Sequence, residues 1–418
     1  MRRSRTGIST TVAAVVVVVV FIVAGVGGYF IEGGGSGGSS STTSSSAVTL
    51  NSVASSSFTT SSTPSTASST SSTSSSSSGP NQTAVMASLA SAAQAECAGA
   101  GQTCLTIYTT QDAGNWAEYY GPLFDQQYPW AAGKVDYVSL SASDETTTVL
   151  SDYQAHNPFA DLVTGTLAPL IPDYQGGAFL NYTSPEVQFM NYSADAVGPA
   201  WVDTDLAIVF MIYNPTLLPA NEVPTSWAAL ANPIYKGGIV FQSAASLSIT
   251  TAEFYYLYQT MGNSSGQWTS LMKGIAANHP LLPSTAGQAE SSVLNGQAKI
   301  GIDTLDSYVT AIKGDPNAPL KIVDLEPMVY TPGVVAITSN APHPAMAKLV
   351  EAWLISRQGQ LATYETNHLP YQTAIGAPLF QYLPADYKLV DAYSTYANTT
   401  LFQNPGSWSD TFENIFGG

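Results

Sequence analysis

The chain has 418 residues, more than one ordinary domain needs and enough for two lobes with sizeable cores. Only 10% of them are charged, against roughly 25% in typical soluble domains, and the formal net charge is −17 at pH 7. No basic stripe exists to meet phosphates, so nucleic acid is excluded as a partner. The surface must instead be built from Ser, Thr, Asn, Gln and Tyr. Such a surface changes little when carboxylates protonate, which is the expectation for a protein working in acid.

In chain order, Arg2, Arg3 and Arg5 precede an uncharged run, 6–31, whose core VAAVVVVVVFIVAGVGGYF is long enough to cross a bilayer as a helix. Flanking basic residues stay cytoplasmic. The expected localisation is therefore the cell membrane, with a single N-terminal helix and the body outside the cell. The junction RTGIST ahead of the valines resembles the pilin-type signals of archaeal surface proteins, in which cleavage after a glycine (here Gly7) leaves the apolar helix attached. An ordinary cleavable signal is the rival reading, and it too places the body outside.

Residues 1–32 are thus an anchor and 33–83 a linker, since GGGSGGSSSTTSSS and its Ser/Thr-rich continuation cannot repay the entropy of folding. The body is 84–418. Asn81, Asn181, Asn191, Asn263 and Asn398 each begin an N-x-Ser/Thr acceptor for glycosylation, consistent with an exterior location. Cys97 and Cys104, in ECAGAGQTC, are close enough to bridge in an oxidising exterior and would tie the incoming segment to the first strand. Without histidine neighbours they make a poor metal site.

After a short helical stretch, AVMASLASAAQAE, apolar runs alternate with helical patterns. Strands are expected at 105–108, 135–140 and 160–165, with helices over 115–128 and 144–155 between them. The longest apolar stretch of the body, LAIVFMIYN at 206–214, leads into PTSWAALANPIYKGGIVF, read as a helix and then a strand. A helix at 245–261, the strand AKIGI, and strands at 320–325 and 333–338 follow. A helix opening at PHPAMAKLVEAWLISRQGQ would bury Leu349, Val350, Trp353 and Leu354 on one face. This alternation implies an α/β fold with parallel strands and right-handed crossovers.

Polar loops recur at the strand ends, where open parallel sheets bind ligands opposite helix N-termini. They supply the candidate ligand-binding residues Thr109, Thr110, Gln111, Ser141, Ser143, Thr164, Thr166, Ser243, Ser246, Asp303, Thr304, Asp306 and Tyr308. Helix capping is the alternative duty of the same residue types, with Asp303 then capping a helix that starts at Thr304.

LTIYTTQD, ADLV, PTSWAALANPIYKGGIVF, LNGQAKIGI and PGVVAITSNAPHPAMAKLVEAWLISRQGQ together resemble the extracellular solute-binding proteins of ABC importers, closest to the ferric-iron-binding branch of the type 2 periplasmic-binding-protein fold. That resemblance, spanning roughly 103–385, implies two lobes closing on a small solute about a hinge of two crossing strands, near 206–214 and 330–338. Lobe 1 would hold about 103–208 and 335–418, and lobe 2 about 209–334. The implied partners are the solute and an ABC permease in the membrane, with a monomeric body and no cofactor.

Iron-binding members carry two adjacent tyrosines just after the AKIGI strand, where this chain has only Tyr308. Iron would have to be held by Asp303, Asp306 and Tyr308. Tyr119–Tyr120 and Tyr255–Tyr256 lie in predicted helices, where neighbours point about 100° apart and cannot converge on one ion. The loops lack Lys and Arg, and their aspartates would suit a cation, an amine or a polyol better than an anion. No nucleophile elbow, zinc-protease helix or P-loop is present, so an enzyme is not expected. His343 and His279 read as surface loop histidines without carboxylate partners. A structural or adhesive surface protein is the alternative reading, but it would show repeats or β-rich stretches that the body lacks.

Overall fold

A computed structural model describes residues 81–99, 103–157, 160–190, 196–261, 265–325, 327–393 and 400–417. The expected anchor and most of the linker lie outside these residues, as do Asn191, Asn263 and Asn398. Among the described residues no helix is long and apolar enough to cross a membrane. The first element, α1 (Gln82–Cys97), starts two residues earlier than the expected body, because Asn81 caps it by accepting from the Thr83 amide. Cys97 is disulfide-bonded to Cys104. The bridge joins the end of α1 to the start of β1 (Leu105–Thr109).

The strands β2 (Val135–Ser139), β3 (Leu162–Thr166), β4 (Val202–Tyr213), β5 (Ile239–Val240), β6 (Ile300–Thr304) and β8 (Met328–Ile337) join β1 in one sheet, ordered β2-β1-β3-β8-β4-β6-β5. Short strands β7 (Lys321–Ile322) and β9 (Leu369–Pro370) pair with β4, and β10 (Leu389–Asp391) pairs with β8. The β1, β2 and β3 strands run parallel, as do β5 and β6. The two long strands, β4 and β8, are antiparallel and run through both halves. The C-terminal half of β8 pairs with β3, while the C-terminal half of β4 pairs with β6. They are the crossing strands of a two-lobe α/β fold. Both are longer than the apolar runs that betrayed them, because Asp203, Thr204, Asp205 and Thr331 extend them as buried polar positions.

Helices α2 (Gly121–Gln127), α3 (Ala142–Gln154) and α4 (Leu167–Gln175) serve the first lobe, with α9 (Pro344–Ile355) and α10 (Arg357–Glu365). The expected face of α9 is buried: Leu349, Val350 and Trp353 pack with Phe124, Ile107, Leu162 and Val335. The Glu96 carboxylate of α1 accepts from the Ala345 and Met346 amides at the start of α9, satisfying donors that a helix N-terminus leaves free. The second lobe carries α5 (Ile249–Thr260), α6 (Ser265–Ala276), α7 (Ala286–Leu294) and α8 (Leu305–Gly314). Its far face packs Phe210, Val293, Leu305 and Val309 with Leu369 and Leu379.

Several expectations change. The helix expected in PTSWAALANPIY is a pair of 3-10 turns, 227–231 and 233–235. Ser226 and Asn232 each accept an amide bond that opens its own turn, and Pro233 bars continuation. The long helix from 344 breaks at Ser356, which caps α10 and donates to the Trp353 carbonyl at 2.6 Å. A β-carbon at Gly359 would sit 2.2 Å from that carbonyl oxygen, so only glycine fits the corner. The C-terminal helix, Pro405–Phe416, sets Trp408 edge-on against Tyr255, Tyr258 and Trp268 of α5 and α6. It therefore packs against the second-lobe helices, whereas 335–418 was expected to close the first lobe. Gln175 of α4 reaches the same tail by donating to the Phe402 carbonyl at 2.6 Å.

Candidate functional site: the interlobe cleft

Where the strand ends of both lobes face each other, a cleft of about 630 Å³ opens. Its first-lobe wall starts in the turn after β1. Gln111 is fixed there by four bonds: its amide donates to Thr109 Oγ1 at 3.1 Å, its side-chain oxygen accepts from Tyr137 at 3.1 Å and Tyr120 at 3.4 Å, and its carbonyl accepts from Ser139 at 2.7 Å. Thr109 itself is buried beneath the wall, bonded to Thr164 Oγ1 at 2.8 Å. The wall continues through Thr110, Thr164, Gly165 and the N-caps of α3 and α4, Ser141 and Thr166. Gly165 makes a close approach there, since an added β-carbon would lie 3.0 Å from Glu145 Oε2 and 3.1 Å from Thr110 Oγ1.

The second-lobe wall gathers the N-caps of three more helices: Ser248 of α5, Thr285 of α7 and Thr304 of α8. Gln242 lines it too and is held by donating to the Ser284 carbonyl at 2.9 Å. Asp306 projects from the first turn of α8, and Glu290, 9% exposed, from α7. Burial, reinforced by the charge of Asp306, pushes the Glu290 carboxyl up to about 7.

At the floor, the pairing of β4 with β8 slips between Asp203 and Asp205. Successive residues of a regular strand face opposite ways, but a bulge re-aims them, and both Thr204 and Asp205 line the cleft. Thr204 Oγ1 donates to Asp205 Oδ1 at 2.7 Å and lies 3.2 Å from the Gly333 carbonyl. Burial raises the Asp205 carboxyl above its ordinary range. Across the floor His368 Nε2 stands 3.6 Å from Asp306 Oδ2. Next to it Asn367, in a left-handed conformation, donates to Thr310 Oγ1 at 2.9 Å and accepts from Lys313 Nζ at 2.5 Å. This segment is where the chain leaves α10 of the first lobe for the far face of the second.

Of the candidates read from the sequence, Thr110, Gln111, Ser141, Thr164, Thr166, Thr304 and Asp306 line the cleft. The others stand elsewhere. Ser143 is exposed on α3, its hydroxyl 3.1 Å from that of Ser141. Ser246 donates to the Ser243 carbonyl at 2.7 Å, so both serve a local turn. Asp303 is fully buried in β6 and does not cap α8; the N-cap is Thr304. Burial, then the nearby Glu290 charge, raises its carboxyl far above the usual range. Tyr308 packs edge-on against Phe210 at 5.9 Å.

The set Asp303, Asp306 and Tyr308 therefore does not converge on an open metal position. Among the described residues, no group of three His, Cys, Asp or Glu side chains is gathered for a metal ion. His343 also departs from expectation: its ring Nδ1 is 3.3 Å from Asp161 Oδ2 and its amide donates to Asp161 Oδ1 at 2.5 Å.

The fold and cleft define a two-lobe binding protein, and comparisons agree. The model of the family described as bacterial extracellular solute-binding protein matches residues 157–381, and the chain belongs to that family. No curated protein sequence matches it. Among solved structures, iron-bound HitA from Pseudomonas aeruginosa is 18% identical and aligns over 64% of this chain and 86% of its own, with a TM-score of 0.53. AfuA from Actinobacillus pleuropneumoniae, with exogenous fructose-6-phosphate bound, is 20% identical over 76% of this chain and 97% of its own, TM-score 0.58. A periplasmic thiamin binding protein is 15% identical over 75% and 96%, TM-score 0.59. At such identities the likeness establishes the fold alone, and three different ligands among the three make the point.

Proposed function

We propose that this protein is the solute receptor of an ABC importer: it captures a small polar solute outside the cell, closes its lobes over it and presents the loaded form to a permease. The observation that carries this reading is the cleft itself, about 630 Å³, walled by helix N-termini and hydroxyls of both lobes and floored by the crossing strands. Closure needs a ligand with higher affinity for the closed state, and groups on opposite walls provide that difference. The body is a carrier and not a catalyst. The uncharged run at 6–31 and the Ser/Thr linker would hold it to the outer face of the membrane.

Iron(III) was the first solute to consider. The chain retains one tyrosine after β6, and that ring is packed against Phe210, so an organic solute is favoured. The test is a thermal-shift panel on the purified full chain with Fe(III) citrate, phosphate, polyamines, amino acids and simple sugars. A solute at 100 times its Kd should add about 2.7 kcal/mol of stability, enough for a clear shift. A shift with one class supports the receptor reading; no shift with any would favour the structural surface-protein alternative.

A further inference from the structure

We propose that the cleft is selective for a hydrophilic organic cation bearing primary ammonium groups, of the aliphatic polyamine class. The inference rests on the receptor reading above and narrows its ligand. The charges on the walls lead to it. Asp112 and Glu118 line the first-lobe side, Asp205 the crossing, Glu290 and Asp306 the second-lobe side. Among the described residues that line the cleft, there is no lysine and no arginine, and His368 is the one histidine.

Helix N-termini work in the opposite direction, and magnitudes decide. The five that reach the cleft, those of α3, α4, α5, α7 and α8, contribute about +0.5 charge each, or about +2.5 together. Those of α3 and α8 already have acids in their first turns, which complement their dipoles internally. Asp306 is the acid that complements α8. Asp112, Glu118, Asp205 and Glu290 therefore face the other three N-termini, about +1.5 together, and four carboxylates outweigh them above the Glu290 value of about 7. An oxyanion would be repelled, and a neutral sugar could donate to the carboxylates but would leave their charge uncompensated.

Two further features point to an organic ligand. Ser248 lines the cleft at the N-cap of α5, is 2% exposed, and its hydroxyl has no partner. A buried hydroxyl is normally satisfied, so one facing a ligand space is a contact in waiting. The volume is also within the range of about 300–1,000 Å³ typical of organic-ligand sites, whereas a bare metal ion needs oxygens converging within roughly 2.0–2.6 Å. An ammonium offers three donors and no acceptor, the complement of carboxylates and hydroxyl oxygens.

The same groups make the affinity proton-linked. Glu290 faces Asp306 from α8 and Asp303 from β6, and Asp306 faces His368. Acidification neutralises Glu290, which burial holds near 7, and Asp205, which burial also raises, so a cation should be released as pH falls.

Calorimetric titration of the full chain with spermidine tests this, with phosphate, Fe(III) citrate and glucose as comparators, at pH 7.5 and pH 5. One spermidine per chain is expected, bound at least tenfold more weakly at pH 5. Glu290→Gln and Asp306→Asn should each weaken it at least tenfold without lowering the ligand-free melting temperature. Asp112→Asn, on an exposed loop, provides a variant whose folding is not in question and should also weaken binding. Many weak spermidine sites indifferent to these substitutions would mean attraction to the negative surface alone and would overturn the proposal. Binding of phosphate, iron or glucose in place of spermidine would overturn it while leaving the receptor reading intact. Binding of none of the probes would count against both.

Discussion

The carboxyl groups that line the cleft and those inside the lobes are chemically alike and serve opposite ends. Asp112, Glu118 and Asp306 reach the open space of the cleft. Glu145, Asp173 and Glu253 are fully buried, with neither oxygen of any of them hydrogen-bonded, and Glu351 is 1% exposed. No lysine or arginine forms an ion pair with them; among the described residues the close pairs are His343–Asp161 and His368–Asp306. A buried unpaired carboxylate is costly, so these groups hold a proton instead. Burial pushes Asp173 up to about 8 and raises Glu145, which Asp173 pushes further, as well as Glu253 and Glu351. The difference teaches that one residue type reports acid tolerance inside the lobes and ligand charge between them.

The strongest way to break that contrast is to titrate stability. An unfolded carboxyl has a pKa of about 4, so a group raised in the fold contributes fully below that pH and loses its contribution as pH rises through the folded value. Each should cost about 1.4 kcal/mol per pH unit in that window. Denaturant unfolding between pH 4 and pH 8 should therefore show stability falling by several kcal/mol, and Asp173→Asn should flatten the slope. Stability that rises with pH would contradict the assignment. Ligand affinity should run the other way, growing with pH.

Removal of the disulfide by Cys97→Ser with Cys104→Ser comes next, at about 2.5 kcal/mol for so short a loop. A denaturation midpoint unchanged by reductant would show that α1 is held by its packing on α9 alone. Gly333→Ala sharpens the comparison at the crossing, where an added β-carbon would lie 2.2 Å from Asp205 Oδ1. It should cost about 1–3 kcal/mol and displace the carboxylate from the floor, lowering affinity in the same titration. Ser248→Ala is the smallest. With no bond to lose, it should leave the unfolding free energy within about 0.5 kcal/mol of the parent while weakening the ligand.

Much of the fold was legible because short apolar runs punctuated by polar loops leave few other architectures. The buried stripe of α9 followed from its spacing. The α4 helix escaped notice because Pro169 and Pro172 break its sequence signal; Pro169 falls in the tolerant first turn, but Pro172 sits in the interior. The site was half legible. Hydroxyls at strand ends were visible, since they directly follow the apolar runs. Thr204 and Asp205 were not, because only a bulge turns both toward the cleft. Glu290 in QAESSV reads as an ordinary solvated helix residue, and His368 arrives through a return crossing that no local pattern announces. Conversely, Asp303 looked like a ligand because it stands at a strand end, yet it points into protein.

The central claim is that the lobes close on a solute. Small-angle scattering of the full chain in detergent, with and without saturating spermidine at pH 7.5, tests it most directly. A smaller radius of gyration in the loaded protein, reached only at tenfold or more higher spermidine in Asp306→Asn, is the predicted result. An unchanged radius with spermidine and with every other solute that shifts the melting temperature would contradict the account.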